Sequence, residues 1–153
     1  MIFVTVGSMA PFDELIMKVD KLAEDRVISD AVVQIGNGSY IPKNAEWFRF
    51  KDDLKPFYES AEFIITHNGA GTLFEILSVG RKAIAVSNPH TIQQQNLDIM
   101  IKLSEEGYIL SCKDLDHLEE SISQIKKWTP KEYKEQPCMI HEEIIRYLLC
   151  PSK

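Results

Sequence analysis

The stretch that most constrains the fold is Phe63-Ile64-Ile65-Thr66-His67-Asn68-Gly69-Ala70-Gly71-Thr72-Leu73-Phe74-Glu75. Phe63 to Thr66 is a short apolar, β-branched run, the pattern of a strand buried on both faces. Gly69 and Gly71 let the backbone turn tightly and leave room for another group to approach it. Leu73 to Val79 is apolar almost all round, as a buried helix is. A glycine turn feeding a helix N-terminus offers unpaired N–H groups and the positive end of the helix dipole, a ready place for a phosphate. The same residues also fit a ligand-free βα turn, in which Thr72 caps the helix and Glu75 reaches back to close a capping box.

The rest of the chain repeats the unit. Ile2 to Val6, Ala31 to Ile35, Trp47 to Phe50, Lys82 to Val86 and Tyr108 to Leu110 read as further strands. Between them lie helical patterns starting at Pro11, spanning Asp52 to Ser60, spanning Ile92 to Glu106 and spanning Leu115 to Trp128. Gly107 stands at the expected C′ stop of the Ile92 helix. Strands alternating with helices specify an α/β fold, a Rossmann-like doubly wound parallel sheet, expected here as one domain over 1–153. Ligands of such sheets bind at the carboxyl ends of the strands. Gly7-Ser8, Gly36 to Ser39, Asn68 to Thr72 and Ser87 to Asn96 all fall at that edge.

Composition removes several function classes. The net charge of −6 argues against non-specific nucleic-acid binding. No apolar run approaches the ~18 residues of a membrane helix. The N-terminus lacks the basic region of a signal peptide. Cys112, Cys138 and Cys150 form no C-x-x-C pair and read as reduced thiols, which places the chain in the cytoplasm. The histidines show no metal-ligand spacing, so neither a metal nor a cofactor is expected. His117 and His141 read as surface residues. Familiar nucleotide motifs fail by spacing as well. Phe74 stands where a dinucleotide fingerprint needs its third glycine, and Ile41 does so after Gly36-Asn37-Gly38. There is no G-K-[ST] of a P-loop, and no acidic pair follows the first strand.

What remains is a phosphate-friendly helix start, a carboxylate at Glu75 and an amide-rich loop with Gln93, Gln94, Gln95 and Asn96. A carboxylate suits a vicinal diol such as ribose better than a phosphate, and amides suit sugar hydroxyls. Together these point to a nucleotide sugar. The plainer readings are a cap for Glu75 and a solvated helix face for the glutamines.

Phe3-Val4-Thr5-Val6-Gly7, Pro11-Phe12-Asp13-Glu14-Leu15-Ile16, Gln34-Ile35-Gly36, Ile41-Pro42, His67-Asn68-Gly69-Ala70-Gly71-Thr72 and Gln94-Gln95-Asn96 follow one another in an order that resembles the C-terminal domain of family 28 glycosyltransferases. The chain is most similar to the single-domain subunits of that family. These include the catalytic subunit of the bipartite UDP-GlcNAc transferase of lipid-linked oligosaccharide synthesis and subunits of bacterial polysaccharide transferases. The resemblance implies the donor-binding, C-terminal half of a GT-B fold, inverting and metal-independent, acting on a UDP-sugar. It implies a lipid-linked sugar acceptor and a membrane-anchored acceptor-binding subunit that recruits the chain to the cytoplasmic face of a membrane. By position, Gly7, Ser8, Gly69, Ala70, Gly71 and Thr72 lie beside the diphosphate. Glu75 takes the ribose, Phe48 or Phe50 lies near the base, and the donor sugar meets Gln94-Gln95 or Gln95-Asn96. His67 and Asn68 belong to the same turn; His67 either orders it or touches the donor. The general base comes from the other half in two-domain relatives, so none is assigned here. A non-catalytic nucleotide-sugar-binding regulatory module and an unrelated phosphate-binding domain are the alternatives.

The tail, 139–149, carries Ile140, Ile144, Tyr147 and Leu148 at helical spacing, widened by Ile145 and Leu149. That stripe either folds back on the domain or docks a partner chain.

Overall fold

The computed structural model describes residues 1–8, 10–90, 94–134 and 140–149. In chain order the elements are β1 (Ile2–Thr5), α1 (Asp13–Glu24), β2 (Ala31–Gln34), β3 (Glu46–Phe48), α2 (Lys55–Ser60), β4 (Phe63–His67), α3 (Ala70–Ser78), β5 (Ala83–Val86), α4 (Gln94–Glu105), β6 (Leu110–Cys112), α5 (Leu118–Lys127) and α6 (Ile140–Leu149). The sheet has six strands in the order β3-β2-β1-β4-β5-β6, and every pairing is parallel. This is the doubly wound arrangement expected from the alternation of strands and helices. Its strand order reverses between β1 and β4, and sheets of this kind form their ligand crevice at the carboxyl ends of the strands at such a point.

Strand alternation divides the core into two faces. Val4, Ile65 and Ile84 pack with Leu15, Ile16 and Val19 of α1 and Ile122 and Ile125 of α5. Phe3, Ile64 and Ala85 pack on the other side with Tyr58 of α2, Leu73 and Ile76 of α3 and Met100 and Leu103 of α4. The central strands β1 and β4 are buried along their whole length, as their uninterrupted apolar sequences require.

Several boundaries differ from the sequence expectation. The last strand is Leu110–Cys112 rather than Tyr108–Leu110. Tyr108 N–H donates to Leu103 O and Gly107 N–H to Ser104 O, a Schellman closure of α4 that uses Tyr108 before pairing begins. The α2 helix starts only at Lys55, after Asp53 Oδ1 has accepted the Lys55 N–H in a turn. The α3 helix starts earlier than a Thr72 cap allows. Gly69 is its N-cap and Ala70 its first residue. Thr72 and Glu75 therefore sit inside the helix, and the capping box does not form.

Ile140, Ile144, Ile145, Tyr147 and Leu149 of α6 are all exposed, between 52% and 78%. These five side chains are not buried against the domain. Met139 lies outside the described residues, as do Cys138, Cys150 and Gln93.

Candidate functional site

Buried polar side chains gather at the carboxyl edge of the sheet. Thr5, Gln34, Thr66, His67, Asn68 and Asn88 are all buried, and all end strands or open the loops that follow them. Burying a polar group without a partner costs about 1–3 kcal/mol, so each must be satisfied by its neighbours. Thr5 Oγ1 donates to Gln34 Oε1 at 2.6 Å, joining the ends of β1 and β2. Asn68 Oδ1 accepts the Asn88 N–H at 3.1 Å, joining the loops after β4 and β5. Asn88 Nδ2 donates to Pro11 O, and Asn37 Nδ2 donates to Ser8 O at 3.2 Å. Arg49 Nη1 donates to Gly36 O and Gly38 O. Asp13 accepts the Ser39 N–H with both oxygens. The segments after β1, β2, β3, β4 and β5 are thereby tied into one rim.

His67 is the wedge at the centre. Its ring lies between the glycine turns after β1 and β4. A Cβ added at Gly7 would stand 2.6 Å from His67 Cε1, and one at Gly69 would stand 2.3 Å from Nε2. Gly7 also has φ +71°, which disfavours a side chain on its own account. Glycine at 7 and 69 is thus required by the imidazole packed between them. Burial pushes the His67 pKa below its ordinary value, opposed by a hydrogen bond to the Thr5 backbone. The ring is packed against both turns.

Gly71 differs. A Cβ built there meets nothing within 4 Å. It is the second residue of α3, whose first internal bond is Leu73 N–H to Gly69 O at 3.0 Å. The N–H groups of Ala70, Gly71 and Thr72 therefore have no acceptor inside the helix. Glu75, four residues after Gly71, lies on the same helix face. Its carboxylate is exposed, and Oε2 accepts a hydrogen bond from the Tyr58 hydroxyl at 3.2 Å. A cavity of 580 Å³ opens beside it, lined by Lys51, Leu54, Tyr58, Glu75, Ser78 and Val79 among others.

The other sequence-selected residues divide. Ser8 is exposed on the rim. Asn68 is buried, and its carbonyl oxygen accepts the Asn88 N–H. Phe48 is half-buried in an aromatic cluster, 6.2 Å from the Phe3 ring and 5.0 Å from Phe57, with Lys51 Nζ 4.9 Å above it. Phe50 is 47% exposed and accessible. Gln94 and Gln95 form the first turn of α4, followed by half-buried Asn96. The loop leading there is held to α1 by His90 Nε2 and Glu14 Oε1 at 2.8 Å. The Glu14 carboxyl lies below its usual range through a backbone hydrogen bond and then through His90.

Gln34, Arg49, Tyr58 and Asn88 carry no site role in the sequence reading. For Gln34 a signal existed, a polar residue closing a buried strand just before Gly36. For Tyr58 and Asn88 there was none, because their partners are 17 and 20 residues away in the chain.

Comparison with known proteins identifies the family and the fold. The human UDP-N-acetylglucosamine transferase subunit ALG13 is 31% identical over 127 residues, which is 72% of this chain and 11% of that protein. The chain thus spans about a tenth of that relative's length. The solution structure of ALG13 superposes with a TM-score of 0.65 at 19% identity, covering 92% of this chain and 93% of that one. The Streptomyces sp. SF2575 glycosyltransferase SsfS6, complexed with thymidine diphosphate, superposes with a TM-score of 0.59 at 18% identity, covering 82% of this chain but 32% of its own. The fold is therefore one Rossmann-like half of a GT-B glycosyltransferase. The model of the glycosyltransferase family 28 C-terminal domain matches residues 1–146, and this chain belongs to that family.

Proposed function

We propose that the chain is the donor-binding subunit of a UDP-sugar glycosyltransferase, with UDP-GlcNAc the leading donor. The observation that carries this reading is the single face of α3 on which the open space at Gly71 and the exposed Glu75 carboxylate lie four residues apart. The diphosphate sits over the unpaired N–H groups of Ala70, Gly71 and Thr72, with Gly7 and Ser8 opposite. The ribose diol reaches Glu75, and the base enters the adjoining cavity toward Phe50. The donor sugar extends toward Gln94, Gln95 and Asn96.

In the reaction, an acceptor hydroxyl forms a bond to the anomeric carbon as the bond from that carbon to the β-phosphate oxygen breaks. Attack from the opposite face inverts the centre. The acceptor proton goes to a base on the other half of the enzyme. The leaving diphosphate gains charge, which the oriented N–H groups and helix dipole of α3 stabilise without a metal. The acceptor is a lipid-linked sugar held by a membrane-anchored partner. The exposed apolar stripe of α6 is the surface offered to that partner. No helix among the described residues is long and apolar enough to cross a membrane, so membrane recruitment would fall to the partner.

Calorimetric titration with UDP tests the reading. One site is expected, with an affinity unchanged by chelator. A requirement for Mg²⁺ would refute metal independence, and absence of UDP binding would remove the donor site altogether.

A further inference from the structure

Glu75 is an exposed side chain with several rotatable bonds, and left to itself it samples many directions. Its neighbour does not. Tyr58 is 2% exposed, and its ring stands edge-on to the fully buried Phe3 of β1 at 5.7 Å and 62°. The hydroxyl is therefore placed by the core, and it donates to Glu75 Oε2 at 3.2 Å. Both residues line the 580 Å³ cavity. We propose that Tyr58 is a positioning residue for nucleoside recognition: its buried hydroxyl holds the Glu75 carboxylate aimed at the ribose hydroxyls. This rests on the reading of Glu75 as the ribose acceptor.

The chemistry fits the role. Burial, then the Glu75 charge and the hydrogen bond itself, push the Tyr58 pKa well above its ordinary value. The phenol therefore stays a donor at any physiological pH. Accepting one hydrogen bond on Oε2 leaves Oε1 and further lone-pair capacity for two ribose hydroxyls. The link also ties α2, which lies after the edge strand β3, to the α3 helix that carries the unpaired N–H groups.

The test measures binding of UDP and of 2′,3′-dideoxyuridine diphosphate to the full chain and to Y58F, E75Q and the double variant. Phe keeps the ring packing, and the freed carboxylate remains in water, so Y58F is expected to fold; its melting curve checks this. Fixing one flexible side chain is worth roughly 2- to 10-fold in affinity. UDP should bind Y58F more weakly by about that factor, dideoxyuridine diphosphate should bind it as it binds the unmodified chain, and Y58F should add nothing on top of E75Q. Equal weakening of both nucleotides would mean a purely structural role, and unchanged UDP affinity would mean the carboxylate needs no help; either overturns the proposal while leaving the donor site standing. An unmodified chain that binds both nucleotides equally would overturn the ribose role of Glu75 and this inference with it.

Discussion

Adding one methyl group at Gly69 and at Gly71 should move stability in opposite directions. Gly69 has φ −70° and ψ 118°, so alanine suits its backbone. The obstacle is steric. The new Cβ would lie 2.3 Å from His67 Nε2 and 2.7 Å from Cε1, against ~3.5–4.0 Å for contacting carbon atoms. The ring must retreat by more than an ångström, and Gly7 blocks it on the other side. Overpacking of this kind costs about 1–3 kcal/mol. Loss of unfolded-state entropy offsets about 0.4–1 kcal/mol of that. Gly69→Ala should therefore destabilise by roughly 1–2 kcal/mol, the difference of those two effects. Gly71→Ala meets nothing within 4 Å and sits in a helix, where alanine gains up to about 0.5–1 kcal/mol over glycine. It should be as stable as the parent or more so, yet bind UDP poorly, because the methyl occupies the phosphate space. Urea unfolding read by circular dichroism gives both stabilities. In a His67→Ala background the cost of Gly69→Ala should fall by at least about 0.5 kcal/mol, the scale of coupling between residues in contact. An undiminished Gly69→Ala penalty there, or a destabilised Gly71→Ala, would refute the assignment of the two glycines to packing and to ligand space.

Three further outcomes follow from the same geometry. Burial lowers the His67 pKa, so the unfolded chain binds this proton more readily; stability should decline as pH falls below about 6.5 toward the depressed folded value, and His67→Gln should flatten that slope in pH-dependent melts. Glu75→Gln should leave the melting temperature unchanged, since no capping box exists to lose, and weaken UDP binding by about 1–2 kcal/mol through loss of a charged hydrogen-bond acceptor, as calorimetry will read. Truncation after Lys134 should preserve UDP binding and abolish co-purification with the acceptor-binding partner; a truncated chain that retains both partner and transferase activity removes α6 as the docking surface.

The alternation of apolar strands with amphipathic helices was enough to read the sheet and all of its strands, because burial on both faces leaves an unbroken β-branched run wherever a central strand lies. The short edge elements β3 and β6 were less legible. They are half-exposed, and local closures such as the Tyr108 to Leu103 hydrogen bond shift their starts. The glycine turn at 69–71 was legible as a tight βα turn, but the different surroundings of its two glycines were not. That Gly69 answers to His67 while Gly71 faces open space depends on where one imidazole points in three dimensions. The capping-box reading of Thr72 and Glu75 failed for a related reason: Gly69 also makes a good N-cap, and the helix took the earlier start. The rim formed by Gln34, Asn88 and Arg49 joins residues distant in sequence and carries no local pattern.

The most direct measurement is the amide ¹⁵N–¹H spectrum of the isotopically labelled chain during titration with UDP. The expected result is saturable shifts centred on the amides of Ala70, Gly71 and Thr72, with Gly7 and Ser8 responding across the crevice and Glu75 one turn along. Shifts absent at saturating UDP, or confined to the separate cavity lined by Lys113, Asp114 and Leu115, would contradict a donor diphosphate seated on the N-terminus of α3.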